Sequence, residues 1–181
     1  MTLNEQKLIK VIRPYFKSAR PGDWQHTRRV VALVKKLGKG RKDLQLLIFA
    51  AYLHDIGWSG LAPKGKIDFA KMIKIEHKVS KNSTKIIKLI LQKFDFNSRQ
   101  TDSVIRLVQA TDKHRSKKFD EEIIVDADNL SKLCLKHLRE KYQPKSFLKV
   151  LKNWQKELPK IIKTKAGKKM YPKLLDNIKL K

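Results

Sequence analysis

The chain reads as an all-α protein, and three observations predict it. Glycine and proline are scarce, with 7 and 6 among 181 residues, so few positions interrupt a helix. Strand-like alternation of apolar and polar residues is nearly absent. Apolar positions recur instead at steps of 3 and 4, the period of a helix with one buried face.

The elements follow in chain order. Leu8, Ile9, Val11, Ile12 and Phe16 mark a first helix that ends before Pro21-Gly22. Asp23 is placed to cap a second, whose stripe His26, Val30, Leu33, Leu37 runs to Gly38 and Gly40. Asp43 caps a third, which passes through Leu47, Ala50, Ala51 and His54 to Gly57. Gly60, Pro63 and Gly65 make residues 59–67 a loop. A helix or helix pair then runs to Phe94, and Ser98 starts another towards Thr111. After a basic loop, Asp120 opens a helix bearing Asp126 and Asp128. Pro144 restarts the chain for one long C-terminal helix that Pro159 interrupts. With no internal repeat and no evident linker, residues 1–181 are expected to form one domain.

At 41% apolar, the chain can bury a sizeable core. No apolar run approaches the roughly 20 residues that span a bilayer, and the N-terminus lacks a signal-peptide pattern. The single Cys134 has no partner for an internal disulfide and suits a reducing compartment, so a cytoplasmic location and no membrane partner are expected. The 43 Lys and Arg outweigh 17 Asp and Glu, for a net charge of +26. Residues 131–181 hold 16 basic and 3 acidic side chains, about half of that excess. Such a field attracts polyanions and phosphorylated substrates, although a lysine-rich composition or a high-salt cytosol accounts for the same totals.

The chemistry concentrates in three short strings. His26 lies on the apolar stripe of the second helix, where a lone imidazole is more often an ordinary core residue. His54 and Asp55, in Leu53-His54-Asp55-Ile56-Gly57, stand about 100° apart around a helix axis, so both can flank one ion. Asp128 shares a face with Ile124 and Leu135, which turns a carboxylate towards the core. A buried carboxylate must be neutralised, salt-bridged or bound to metal. Imidazole nitrogen with anionic oxygen suits a divalent Mn, Fe, Co, Ni, Zn or Mg. Together the residues point to a metal-dependent hydrolase.

The order His26, then His54-Asp55-Ile56-Gly57, then Asp126-Ala127-Asp128-Asn129-Leu130 resembles the HD-domain phosphohydrolase superfamily over about residues 23–142. The resemblance implies an all-α bundle with one or two divalent cations at its centre. It also implies hydrolysis of phosphate esters or anhydrides, often in nucleotides. The metal ligands it implies are His26, His54, Asp55 and Asp128, the last because x-Leu follows it. Asp126 becomes a neighbour that supports the site, caps a helix or makes a salt bridge. His77 resembles a further histidine of many members, a second-metal ligand in some and a group facing substrate phosphate in others. His114 lies near another such position, yet the spacing from Val104 and Val108 would place that histidine at Thr111, a departure from the two-metal pattern.

Other residues complete the expected site. Arg29, one turn from His26, can contact a substrate phosphate, orient a carboxylate ligand or form a structural salt bridge. Asp55, His77 and Arg29 are the expected catalytic group, with Asp55 orienting water through an oxygen left free by monodentate binding. Lys113, His114 and Arg115 suit a phosphate tail, and Trp58 can wall the pocket or stack on a base. His137 and Cys134 share a face one turn apart and read as packing. Lys145, Lys149, Lys152, Lys156, Lys160 and Lys163 form a stripe opposite Phe147, Leu151, Trp154 and Leu158, either a solvated face or a track for nucleic-acid phosphates.

The expected reaction is hydrolysis of a small phosphorylated substrate, with a nucleotide ranked first. Short single-domain members with Asp-Ala-Asp-x-Leu resemble enzymes that split a nucleoside triphosphate into monophosphate and pyrophosphate. Nucleotide monophosphatase and phosphodiesterase activity follow. The alternative is a basic nucleic-acid-binding module that retains a structural metal site.

Overall fold

The computed structural model describes residues 3–63, 65 and 75–178, and helices with turns make up all of these. Helix α1, Leu3–Ile12, stops short of the expected Phe16 because Pro14 follows, and Phe16 falls in a separate 3-10 turn, Tyr15–Ser18. Helix α2, Asp23–Leu37, starts at Asp23 itself, so this residue is not the cap. Gly22 takes that position at φ 77°, where an added Cβ would lie 2.8 Å from Glu140 Cβ. The Asp23 carboxylate instead accepts the Arg20 backbone N–H at 3.0 Å and pairs with the Lys141 ammonium.

Helix α3, Leu44–Leu53, has Asp43 at its cap position, but that carboxylate binds Arg41 at 2.7 Å and leaves the helix start alone. The helix ends at Leu53, and Asp55 opens a 3-10 turn, Ile56–Trp58. His54 and Asp55 therefore straddle a helix end and do not share one helix. Helix α4, Glu76–Leu91, is followed by the 3-10 turn Gln92–Phe94. The expected beginning of that helix pair, residues 68–74, lies outside the described residues. Helix α5, Ser98–Asp112, starts with a capping box, in which Asn97 Oδ1 accepts the Gln100 N–H and Gln100 Oε1 accepts the Asn97 N–H. Helices α6, Phe119–Ser131, α7, Leu135–Lys141, α8, Phe147–Ile161, and α9, Lys165–Asp176, complete the described chain.

Helix α6 is the spine. Every residue from Ile123 to Ser131 is buried, as in a helix packed on all sides. Its apolar residues Ile123, Ile124, Val125 and Ala127 join Val30, Leu47, Leu53, Val104 and Val108 in the main core. Leu130 joins Leu133, Val150, Trp154, Leu158 and Ile162 in a second cluster, against which Leu33 and Leu37 of α2 pack. Helices α8 and α9 dock through this second cluster. On α8 the buried face is Val150, Trp154 and Leu158, with the expected Phe147 and Leu151 half-buried and all six expected lysines exposed. Among the described residues, no helix is long and apolar enough to cross a membrane.

The expected single C-terminal helix is two, and Pro159 is not the break. It stays within α8, while the chain turns after Ile161 because Asp126 captures the next donors. The Asp126 carboxylate accepts Lys163 N–H at 3.0 Å, Thr164 N–H at 2.8 Å and Thr164 Oγ1–H at 2.6 Å. Of the three roles open to Asp126, helix capping is the one observed, and the capped helix is α9. Asp126→Ala should lower stability by about 2 kcal/mol, since buried donors lose their acceptor. The denaturant midpoint reads this directly. Gly167→Ala should also destabilise, because its Cβ would sit 2.7 Å from Asp126 Oδ2.

Candidate metal centre

Three stretches of chain meet beside α6. Helix α2 presents His26, the end of α3 presents His54 and Asp55, and α6 presents Asp128. Ligating atoms of His26, His54 and Asp128 all lie within 4.8 Å of one another, and the three residues are buried. His26 Nε2 is 3.0 Å from Asp128 Oδ1, and His54 Nε2 is 3.9 Å from the same oxygen. Asp55 Oδ2 lies 3.5 Å from His54 Nε2 and 3.9 Å from His26 Nε2. All four ligands expected from the sequence thus converge.

Hydrogen bonds behind the imidazoles set their tautomers. His54 Nδ1 faces the Ala51 carbonyl at 2.8 Å, so Nδ1 carries the hydrogen. The Ser131 hydroxyl donates to the Asp128 carbonyl at 2.8 Å, so at His26 it accepts the Nδ1–H across 3.0 Å. Both Nε2 lone pairs are therefore available towards the carboxylates. Among the described residues, His54 Nε2 and Asp55 Oδ2 are buried without a hydrogen-bond partner. Such orphans are rare in folded proteins and call for a reason. A divalent cation among these four side chains would satisfy both, so the residues fit a metal.

Charges around the cluster are arranged in pairs. Arg20 Nη2 binds Asp55 Oδ1 at 2.7 Å, and its guanidinium lies over the Trp58 ring, 4.1 Å from the centroid. Burial works against ionising Asp55, but Arg20 and then His54 bring it down to about 2. The second Asp55 oxygen is thus taken by Arg20 and is not free to orient water, contrary to the expectation from sequence. Lys132 Nζ binds Asp128 Oδ2 at 2.7 Å and Asn129 Oδ1 at 3.1 Å. Burial opposes the Asp128 charge too, and Lys132 with the His26 hydrogen bond overcomes it, holding that carboxyl well below the usual range. Asp112 runs the other way: burial, reinforced by Asp55, pushes it up to about 7.

The cluster floors a cavity of about 550 Å³. Trp58, His77, Lys113 and His114 line it, as expected. His114 adopts φ 48° and places Nδ1 3.9 Å from Asp128 Oδ2, while Lys132 and burial push its imidazole down to about 4. Thr111 lines the cavity where the resemblance would put a histidine, its hydroxyl bound to the Val108 carbonyl. Arg115 is exposed and does not join the lining. Arg29 does not reach the cavity either, because Glu140 at 3.2 Å and His137 Nδ1 at 3.2 Å hold its guanidinium. The residue that orients a carboxylate ligand is Arg20.

Sequence reasoning missed Arg20, Asp112, Lys132 and His137. Lys132 had a signal, since it follows Asp128 by four residues, one helical turn. His137 was read as packing, yet its ring stacks 5.0 Å from His26 and lines the cavity. Arg20 stands in the linker before α2, where only the fold reveals its target.

With this geometry in place, a family model described as HD domain matches residues 23–144, well over half of the chain. The chain belongs to the HD-domain superfamily of metal-dependent phosphohydrolases. No curated protein and no solved structure matches it. In this HD domain, the paired histidine and aspartate of the superfamily's label are His54 and Asp55.

Titration calorimetry with Mn²⁺ should register binding to the wild type and none to His54→Ala or Asp128→Ala. Arg20→Met keeps every ligand but frees Asp55 to turn, so affinity should fall about tenfold. Unchanged affinity in Arg20→Met would show that Asp55 needs no such anchor.

Proposed function

We propose that this HD domain hydrolyses a phosphate ester or anhydride of a nucleotide. Release of pyrophosphate from a nucleoside triphosphate ranks first, ahead of nucleotide monophosphatase and phosphodiesterase activity. One observation carries the reading: two partnerless ligating atoms, His54 Nε2 and Asp55 Oδ2, lie buried at the floor of a cavity lined by Lys113, Lys132 and three further histidines. The cavity volume falls within the roughly 300–1,000 Å³ usual for small-molecule sites.

His26, His54, Asp55 and Asp128 would hold a divalent cation. When bound, such an ion withdraws charge from a phosphoryl oxygen and makes water a better nucleophile near neutral pH. The chain supplies the rest. Arg20 fixes Asp55 from behind while Trp58 supports the Arg20 plane. Lys113, His77 and His114 stand along the cavity wall, where cationic or donor groups stabilise negative charge on a leaving phosphate. Asp112, held partly protonated near pH 7, can pass a proton to a departing oxygen.

A panel of nucleoside mono-, di- and triphosphates, assayed with Mn²⁺ or Co²⁺ and again after chelation, tests the reading. Turnover should need the metal and drop at least 100-fold in Asp55→Ala, as expected for loss of a group that acts on the reacting centre. Metal-independent turnover, or full activity in Asp55→Ala, would overturn it.

A second reading draws on the exposed lysines of α8. Lys145, Lys149, Lys152, Lys156, Lys160 and Lys163 suit non-specific contact with nucleic-acid phosphates. Oligonucleotide retention should then weaken steeply with salt and be indifferent to Asp55→Ala.

A further inference from the structure

We propose that Lys132 and His137 form an oxyanion-binding subsite beside the ligand cluster, one that holds the phosphoryl group of the substrate. The inference deepens the hydrolase reading and rests on it for the identity of the natural ligand.

Lys132 is positioned and nearly sequestered, with only 16% of its side chain exposed. Its ammonium offers three hydrogens. Asp128 Oδ2 and Asn129 Oδ1 take two, and the third is left for the cavity that Lys132 lines. The Asp128 carboxylate thus has one oxygen on each side: Oδ1 turns to His26 and His54, Oδ2 to Lys132. A group bound to Lys132 is separated from the imidazole pair by a single carboxylate.

His137 supplies a second donor, and its orientation follows from Arg29. The residue is 3% exposed. Arg29 Nη2 can only donate, so at 3.2 Å it makes His137 Nδ1 an acceptor and puts the ring hydrogen on Nε2. Glu140 anchors the same guanidinium at 3.2 Å, which keeps this arrangement in place. Among the described residues Nε2 has no hydrogen-bond partner, although it belongs to a cavity-lining side chain and is not among the fully enclosed orphans. A buried N–H of this kind is satisfied by an acceptor in the cavity. This gives Arg29 its role: it acts one residue removed from the cavity, as a positioning residue.

Both groups present hydrogens and no lone pair, one with full positive charge, next to a cluster suited to a divalent cation. The ligand class that fits is a tetrahedral oxyanion, with phosphate the simplest member. A neutral hydroxyl or amide would leave the ammonium uncompensated.

Inorganic phosphate is the probe, titrated calorimetrically into the full chain with and without saturating Mn²⁺. In Lys132→Met, phosphate affinity should fall about tenfold or more, the size of one charge-assisted hydrogen bond. Mn²⁺ affinity should hold or tighten, since Asp128 loses a competing cation. Lys132→Arg should keep phosphate binding within about threefold because the charge is retained, and His137→Phe should weaken it severalfold through the lost N–H. Circular dichroism checks that each variant is folded, and the arginine variant decides the matter if the methionine variant is not. Phosphate affinity unchanged in both Lys132→Met and His137→Phe would overturn the subsite, as would a wild type that binds no phosphate. A parallel loss of Mn²⁺ affinity in Lys132→Met would also overturn it, by making Lys132 a support for Asp128 alone. Phosphate binding with the expected pattern, but no turnover of any nucleotide, would leave the subsite standing and remove the hydrolase reading.

Discussion

A helix that is buried on every side can carry polar side chains only if each one is answered. Nine consecutive residues of α6 are enclosed, and four of them, Asp126, Asp128, Asn129 and Ser131, are polar. Asn129 bonds the Val125 carbonyl and receives Lys132; Ser131 bonds the Asp128 carbonyl and receives His26. Asp126 holds the start of α9. Only Asp128 faces other groups that lack full partners, and there the imidazoles gather. The cluster is thus the one place where the general requirement for pairing is left open to something from outside.

Pairing also explains why so much positive charge lines a site built from acids. Asp55 and Asp128 are close enough to repel, each raising the other's tendency to take up a proton. Arg20 and Lys132 stand behind them on opposite flanks and keep both ionised. The net +26 of the chain says nothing about this arrangement, because these two cations are spent locally. The lysines of α8 are a separate population, solvated and remote in kind from the cavity.

Much of this was legible in the sequence. Helical period, scarce glycine and the three short strings were enough for the fold class and for all four converging ligands, since burial of His26 and Asp128 follows from their place on apolar faces. Boundaries were less legible. The first helix and the C-terminal pair end where Pro14 and the Asp126 cap intervene, one a local constraint overlooked and the other a contact across 37 residues that no local pattern carries. The site's supporting cast divides the same way. Lys132 is one turn from its partner and could be read. Arg20 to Asp55 and Arg29 to Glu140 are tertiary choices between similar candidates, and the sequence offers both arginines near His26 without saying which turns inward.

Asp126 and Asp128 sit two residues apart on one enclosed helix, the first tied to α9 and the second to the imidazoles. The family match ends at residue 144, ahead of both C-terminal helices. Cutting the chain at that limit would uncover Leu130 and Leu133 and strand the Asp126 carboxylate without its three donors, one turn or less from the ligand. The conserved-looking portion is therefore not an excisable module, and a fragment trimmed to it would lose its centre along with its tail.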